Sequence, residues 1–84
     1  MYPKDLAFVD VETTGGRAVR DRITEIAIIT VRAGEVVSEW SSLVNPHRHI
    51  PERIRRLTGI SNDMVETQPS FADIYKDIYE HLED

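Results

Sequence analysis

Seven of the ten residues from Ile23 to Arg32 are β-branched (Ile23, Thr24, Ile26, Ile28, Ile29, Thr30 and Val31), and no other stretch narrows the fold as much. Branching at Cβ crowds a helix and packs well on a pleated surface, so this segment is predicted to be a well-buried strand. Ala33-Gly34 makes a tight reversal, and Glu35 to Val44 returns as a third strand, giving an antiparallel hairpin. Asn45-Pro46 ends it. Upstream, Leu6 to Glu12 reads as a buried first strand. The chain is therefore α/β, in the order strand, strand, strand, helix, helix. Pro51 to Leu57 is the first helix, with Pro at an early position and Gly59 placed to stop it. Ser70 caps the second, with Asp73 in a capping-box position, and Phe71, Ile74, Tyr75, Ile78 and Leu82 form one apolar stripe. Trp40 and Tyr75 read as core aromatics, and His47, His49 and His81 as surface residues.

Alternate side chains on a strand share a face, so Leu6, Phe8, Asp10 and Glu12 line up, with Ala7, Val9 and Val11 behind them. Two carboxylates at the end of an apolar row repel each other and lose hydration. A divalent cation between them reverses that penalty. Thr13-Thr14-Gly15-Gly16 then breaks the strand and leaves the acids at its open end. An acidic turn in solvent is the ordinary reading of Asp-x-Glu alone. The whole octapeptide from Phe8 to Gly15 favours a metal site.

Eighty-four residues allow one small domain, with a modest fraction of buried surface. Ten basic against fifteen acidic residues give a net charge of −5, which argues against a basic coat for nucleic acid. It leaves open an enzyme that grips phosphates through metal ions. The cluster Arg48, Arg53, Arg55 and Arg56 reads as a solvated face, with contact to a nucleic-acid backbone as the alternative. With no cysteine, disulfides and thiolate metal sites are excluded. The longest apolar run, Ile26 to Val31, is too short to span a bilayer, and Met1 to Leu6 lacks the apolar core of a secretory signal. No membrane partner and a cytoplasmic location are expected. There is no internal repeat or interdomain linker.

Phe8-Val9-Asp10-Val11-Glu12-Thr13-Thr14-Gly15 resembles the first motif of the DEDD (DnaQ-like) 3′–5′ exonucleases, most of all the branch containing the epsilon proofreading subunit of bacterial DNA polymerase III. Asp21 to Ile29 resembles that family's second strand. Leu43-Val44-Asn45-Pro46, Ile50-Pro51, Leu57-Thr58-Gly59-Ile60-Ser61 and Pro69-Ser70-Phe71 follow in the family's order. The resemblance implies an RNase H-like exonuclease fold, two Mg²⁺ or Mn²⁺ ions, and hydrolysis of phosphodiester bonds at nucleic-acid 3′ ends, with DNA favoured and RNA possible. By the same resemblance Asp10 would bridge the ions, and Glu12 would hold one and orient the nucleophilic water. Thr13 and Thr14 match positions near the terminal nucleotide. Leu57 and Thr58 match positions lining the pocket for the last base, although helix core and helix end explain them equally well. A DNA polymerase subunit is an implied partner.

The family's second and third motifs cannot be assigned. The acidic end at Glu80, Glu83 and Asp84 falls just before the second would begin. Residues 1–84 are therefore expected to be the N-terminal portion of one exonuclease domain: a truncated, three-stranded antiparallel sheet followed by helices, inactive alone. Its first strand would then have one unpaired edge, open to self-association. Two alternatives remain. Val9-Asp10-Val11-Glu12-Thr13 also resembles the D-x-D-x-T motif of haloacid-dehalogenase-like phosphatases, with Asp10 as nucleophile. The other is a non-catalytic remnant that only binds a partner.

Overall fold

The computed structural model describes residues 5–17 and 21–82. Strands β1 (Leu6–Thr13), β2 (Ile23–Arg32) and β3 (Glu35–Leu43) form one antiparallel sheet in the order β1-β2-β3. Helices α1 (Glu52–Thr58), α2 (Asn62–Glu66) and α3 (Phe71–Leu82) follow. The β2–β3 turn is two residues long, with Ala33 at φ 52° and Gly34 at φ 80°. Two left-handed residues give the turn whose twist matches the strands it joins. Asp5 Oδ1 accepts the Ala33 N–H at 3.0 Å and ties the start of β1 to that turn.

The cross-strand register fixes two faces. Val9 pairs with Ile28 and Ile28 with Trp40, so these three form one row. On this face Ile26, Ile28 and Val44 pack with Ile74 and Ile78 of α3, flanked by Ile23 and Trp40. Glu12 pairs with Glu25 and Glu25 with Leu43, in a row on the other face. There Leu43 packs against a second cluster formed by Ile50, Ile54, Ile60 and Val65 of the α1–α2 segment. The acids thus share their face with α1 and α2, and α3 lies behind the sheet.

Local chemistry explains where the helices stop. Pro51 is the N-cap of α1, and Gly59 closes it in the left-handed conformation at φ 78°, its N–H bonded to Arg55 O. Ser70 and Asp73 exchange hydrogen bonds at 3.1 and 3.3 Å, as the capping box requires. Asn45 joins distant segments: its N–H reaches Pro69 O at 2.8 Å and its amide reaches Glu66 O at 3.2 Å.

Several expectations need correction. The first strand is not buried: Leu6 to Val11 are all exposed, because β1 is the sheet edge and neither helical layer extends over it. Its outer edge is unpaired among the described residues. The described residues form three helices rather than two. The missed one, α2, is short but carries its own signal in Ser61, which caps Met64 N at 3.2 Å. The third strand ends at Leu43, one residue early. In the α3 stripe Ile74 and Ile78 are buried, while Phe71, Tyr75 and Leu82 are exposed, so Tyr75 is not a core residue. His81 is not a plain surface residue, for its ring stacks on Trp40 at 4.9 Å. Glu83 and Asp84 of the acidic end, and Met1 to Lys4, lie outside the described residues.

Candidate metal centre and adjoining cleft

Asp10 and Glu12 lie on one face of β1, opposite Ala27 and Glu25 of β2. Two residues of strand separate their α-carbons by roughly 6.5–7 Å, and both side chains project from the same side of the pleat. Asp10 is exposed and Glu12 half-buried, so the loss of hydration expected of a buried strand does not arise at Asp10. The register shifts directly after Glu12: Glu12 pairs with Glu25, but Thr13 pairs with Ile23. Such a bulge bends the strand and ends the ladder, which leaves the acids at an open end. Both are hard oxygen donors suited to Mg²⁺ or Mn²⁺. Among the described residues no third His, Asp or Glu completes a group of three with them.

The turn after β1 is built around Thr14 and Asp21. Thr14 is 1% exposed. Its hydroxyl donates to Asp21 Oδ1 at 2.9 Å and accepts the Arg22 N–H at 3.0 Å, and its own N–H donates to Arg22 O at 2.8 Å. Asp21 Oδ2 accepts the Arg17 N–H at 2.8 Å. A Cβ at Gly15 would sit 2.5 Å from Asp21 Oδ2, and because that carboxylate is held on both oxygens it has little freedom to yield. Thr14 therefore spends its side chain and its N–H on the loop itself. Thr13 Oγ1 donates to Gly15 O in a local turn. Asp21 was not singled out from the sequence. The signal was an Asp closing a glycine-containing loop immediately before a β-branched run.

Leu57 and Thr58 separate. Leu57 is 79% exposed on α1 beside Glu52, Arg53 and Arg56, which rules out the helix-core reading. Thr58 serves the helix end: its hydroxyl donates to Ile54 O at 2.9 Å and accepts the Ile60 N–H at 3.1 Å. The basic cluster separates too. Arg55 donates to Ile50 O at 2.8 Å and Arg56 pairs with Glu52 at 2.8 Å. Arg48 and Arg53 line an open cleft of about 720 Å³ together with Thr14 to Arg17 and Asp21. Among the described residues no helix is long and apolar enough to cross a membrane.

Comparison with known proteins agrees with this geometry. The RNase T exonuclease family model matches residues 7–84. A PolC-type DNA polymerase III of Oceanobacillus iheyensis is 40% identical over 79 residues, covering 94% of this chain and 6% of that protein. The DNA polymerase III epsilon subunit of Aquifex aeolicus is 34% identical over 76 residues, 90% of this chain and 38% of that protein. Exonuclease X, solved in complex with 5′ overhanging duplex DNA, superposes with a TM-score of 0.77 at 30% identity, over 86% of this chain and 42% of that one. The chain thus spans less than half the length of each of these relatives. The antiparallel β1–β2 pairing and the family match set aside the haloacid-dehalogenase-like alternative, whose fold expects parallel strands joined by helical crossovers. The sheet and helices form part of the RNase H-like exonuclease fold, and the chain belongs to the RNase T exonuclease family.

Proposed function

We propose that these 84 residues are the N-terminal portion of one 3′–5′ exonuclease domain, acting on DNA 3′ ends in association with a DNA polymerase. The observation that carries this reading is the placement of Asp10 and Glu12 on one face at the open end of β1, in a chain of this family. The PolC-type and epsilon relatives support DNA over RNA and a polymerase partner.

In this proposal Asp10 and Glu12 hold Mg²⁺ or Mn²⁺, two ions in the complete domain. When bound, such ions stabilise the attacking and leaving oxygens of phosphodiester hydrolysis. Glu12 positions the nucleophilic water. Thr14, through Asp21 and Arg22, ties the end of β1 to the start of β2 beside the acids. Thr13 and the turn at Gly15 and Gly16 meet the terminal nucleotide, and exposed Leu57 offers an apolar surface for its base. Thr58 supports Leu57 by closing α1.

Mn²⁺ is the direct test. Paramagnetic broadening of amide signals should centre on Asp10 to Thr14 and disappear in Asp10→Ala. Broadening centred elsewhere, or unchanged in that variant, would refute the assignment. Two acids do not hold the geometry of a two-ion site, so this polypeptide should show no exonuclease activity above a preparation of Asp10→Ala. Reproducible activity abolished by that substitution would show that the remaining ligands come from another chain.

A further inference from the structure

We propose that β1 and the adjoining flank of α3 form one self-complementary surface, through which two copies of the chain dimerise, their sheets joined at Val9 into a single antiparallel sheet. The proposal does not depend on the metal reading of Asp10 and Glu12.

Three observations carry it. The first is an apolar surface that spans two elements. Ile74 and Ile78 turn α3 onto the sheet, and His81 stacks on Trp40 on the β3 side. Leu82 leaves on the other side, where it lines a small cavity with Leu6, Ala7 and Thr30. Phe71, Tyr75 and Tyr79 precede it at helical spacing, so one stripe runs along the flank that faces β1. These four residues, with Val9 and Val11, are each 42–59% exposed. Three half-exposed aromatic rings and three aliphatic side chains leave roughly 500 Å² of apolar surface, near the most a monomer ordinarily shows. Two such surfaces reach the roughly 1,000 Å² that a specific interface needs, before the strand edges are counted.

The second is symmetry. Leu82 lies by Leu6 and Ala7, and Phe71 lies by Ile23, which pairs with Thr13. α3 therefore runs opposite to β1, and the middles of the two elements coincide near Val9 and Asp10. A two-fold axis through that point lays β1 against its own copy and sets the two α3 flanks against each other. Across three strand spacings the helices lie roughly 14 Å apart, while packed helices lie about 8–10 Å apart, so tyrosines from both copies fill the difference.

The third is charge. An axis through Asp10 opposes that carboxylate to its copy, which is unfavourable, whereas an axis through Val9 sets Asp10 opposite the partner's Phe8. From Leu6 to Val11 β1 carries no other charge. β3, the other edge unpaired among the described residues, carries Glu35 and Glu39, which guard it against a second strand.

The test uses the whole 84-residue chain in EDTA, which removes any bridging by metal. Sedimentation equilibrium should show monomer and dimer and nothing larger, because a two-fold contact closes on itself. Tyr75→Glu/Tyr79→Glu should weaken dimerisation on the order of tenfold or more. Val36→Glu/Val37→Glu, as exposed as the tyrosines but on β3, should leave it unchanged. The axis has its own test, because the chain contains no cysteine. Val9→Cys should oxidise to a linked dimer, since directly opposed residues of an antiparallel pair have α-carbons about 4.5–5.5 Å apart, within disulfide reach. Ala7→Cys, on the same face but roughly 13 Å from its copy, should stay unlinked. A chain that remains monomeric at high concentration leaves this face to another partner and overturns the proposal. So do open-ended assembly, equal weakening by both glutamate pairs, and linkage of Ala7→Cys as efficient as that of Val9→Cys.

Discussion

Val9 and Ile28 face each other across the β1–β2 ladder, on the same side of the sheet, yet Val9 is 49% exposed and Ile28 is 0% exposed. Both strands alternate apolar side chains, and both read from the sequence as buried. The difference lies in what covers them. Ile74 and Ile78 of α3 rest on β2, with Trp40 closing the far side of the row, while β1 lies beyond the layer at the sheet edge. Alternation sets which side of the pleat a residue takes, and cover by a second layer sets whether it is buried. The acids occupy the uncovered strand, where a ligand can reach them, beside a strand packed under α3.

The sharpest way to break this comparison is truncation within that row. Ile28→Ala should cost about 2–5 kcal/mol, as for any fully buried aliphatic side chain, and in so small a chain that threatens folding altogether. Val9→Ala should cost well under half as much. Urea midpoints measure both, and equal losses would mean that β1 is covered in solution by something absent here.

Next in size come two threonines with the same burial and opposite prospects. Thr14 and Thr24 are each 1% exposed. Thr14 Oγ1 holds Asp21 and Arg22, whereas Thr24 Oγ1 has no hydrogen-bond partner among the described residues. Thr14→Val should lose about 1–3 kcal/mol by stranding its partners, and Thr24→Val should lose nothing or gain slightly. Thermal melts of the two variants separate these outcomes, and a cost at Thr24 would reveal a partner for its hydroxyl.

Among the described residues the outer edge of β1 is unpaired, and an unpaired edge is a template for a second strand. Light scattering should show concentration-dependent association, reduced by a Val9→Lys substitution, and Ala7 to Val11 amides should exchange faster than Ile26 to Thr30. A strictly monomeric species whose β1 amides are protected to the global limit would remove the contrast between the strands. Smallest of all is the stability effect of Asp10→Ala, within about 0.5 kcal/mol for an exposed side chain. Urea denaturation checks it, and it separates the acid's role toward a ligand from any role in the fold.

The sequence by itself determined the elements whose causes are local. β-branching specified β2, the Ala33-Gly34 pair specified the hairpin, Gly59 ended α1, and Ser70 with Asp73 began α3. The octapeptide containing Asp10 and Glu12 marked the strand end that the acids share. Tertiary structure decided what depends on residues distant in the chain. It exposed β1 by laying α3 over β2, and it turned Thr14 inward onto Asp21 seven positions away. It also brought Arg55 onto Ile50 O and placed Arg48 and Arg53 on one cleft with Thr14 to Arg17, more than thirty positions earlier in the chain. Propensity, turn chemistry and capping act over a few residues and can be read in order along the chain. Burial and convergence depend on which surfaces meet, and that is settled only when the layers pack.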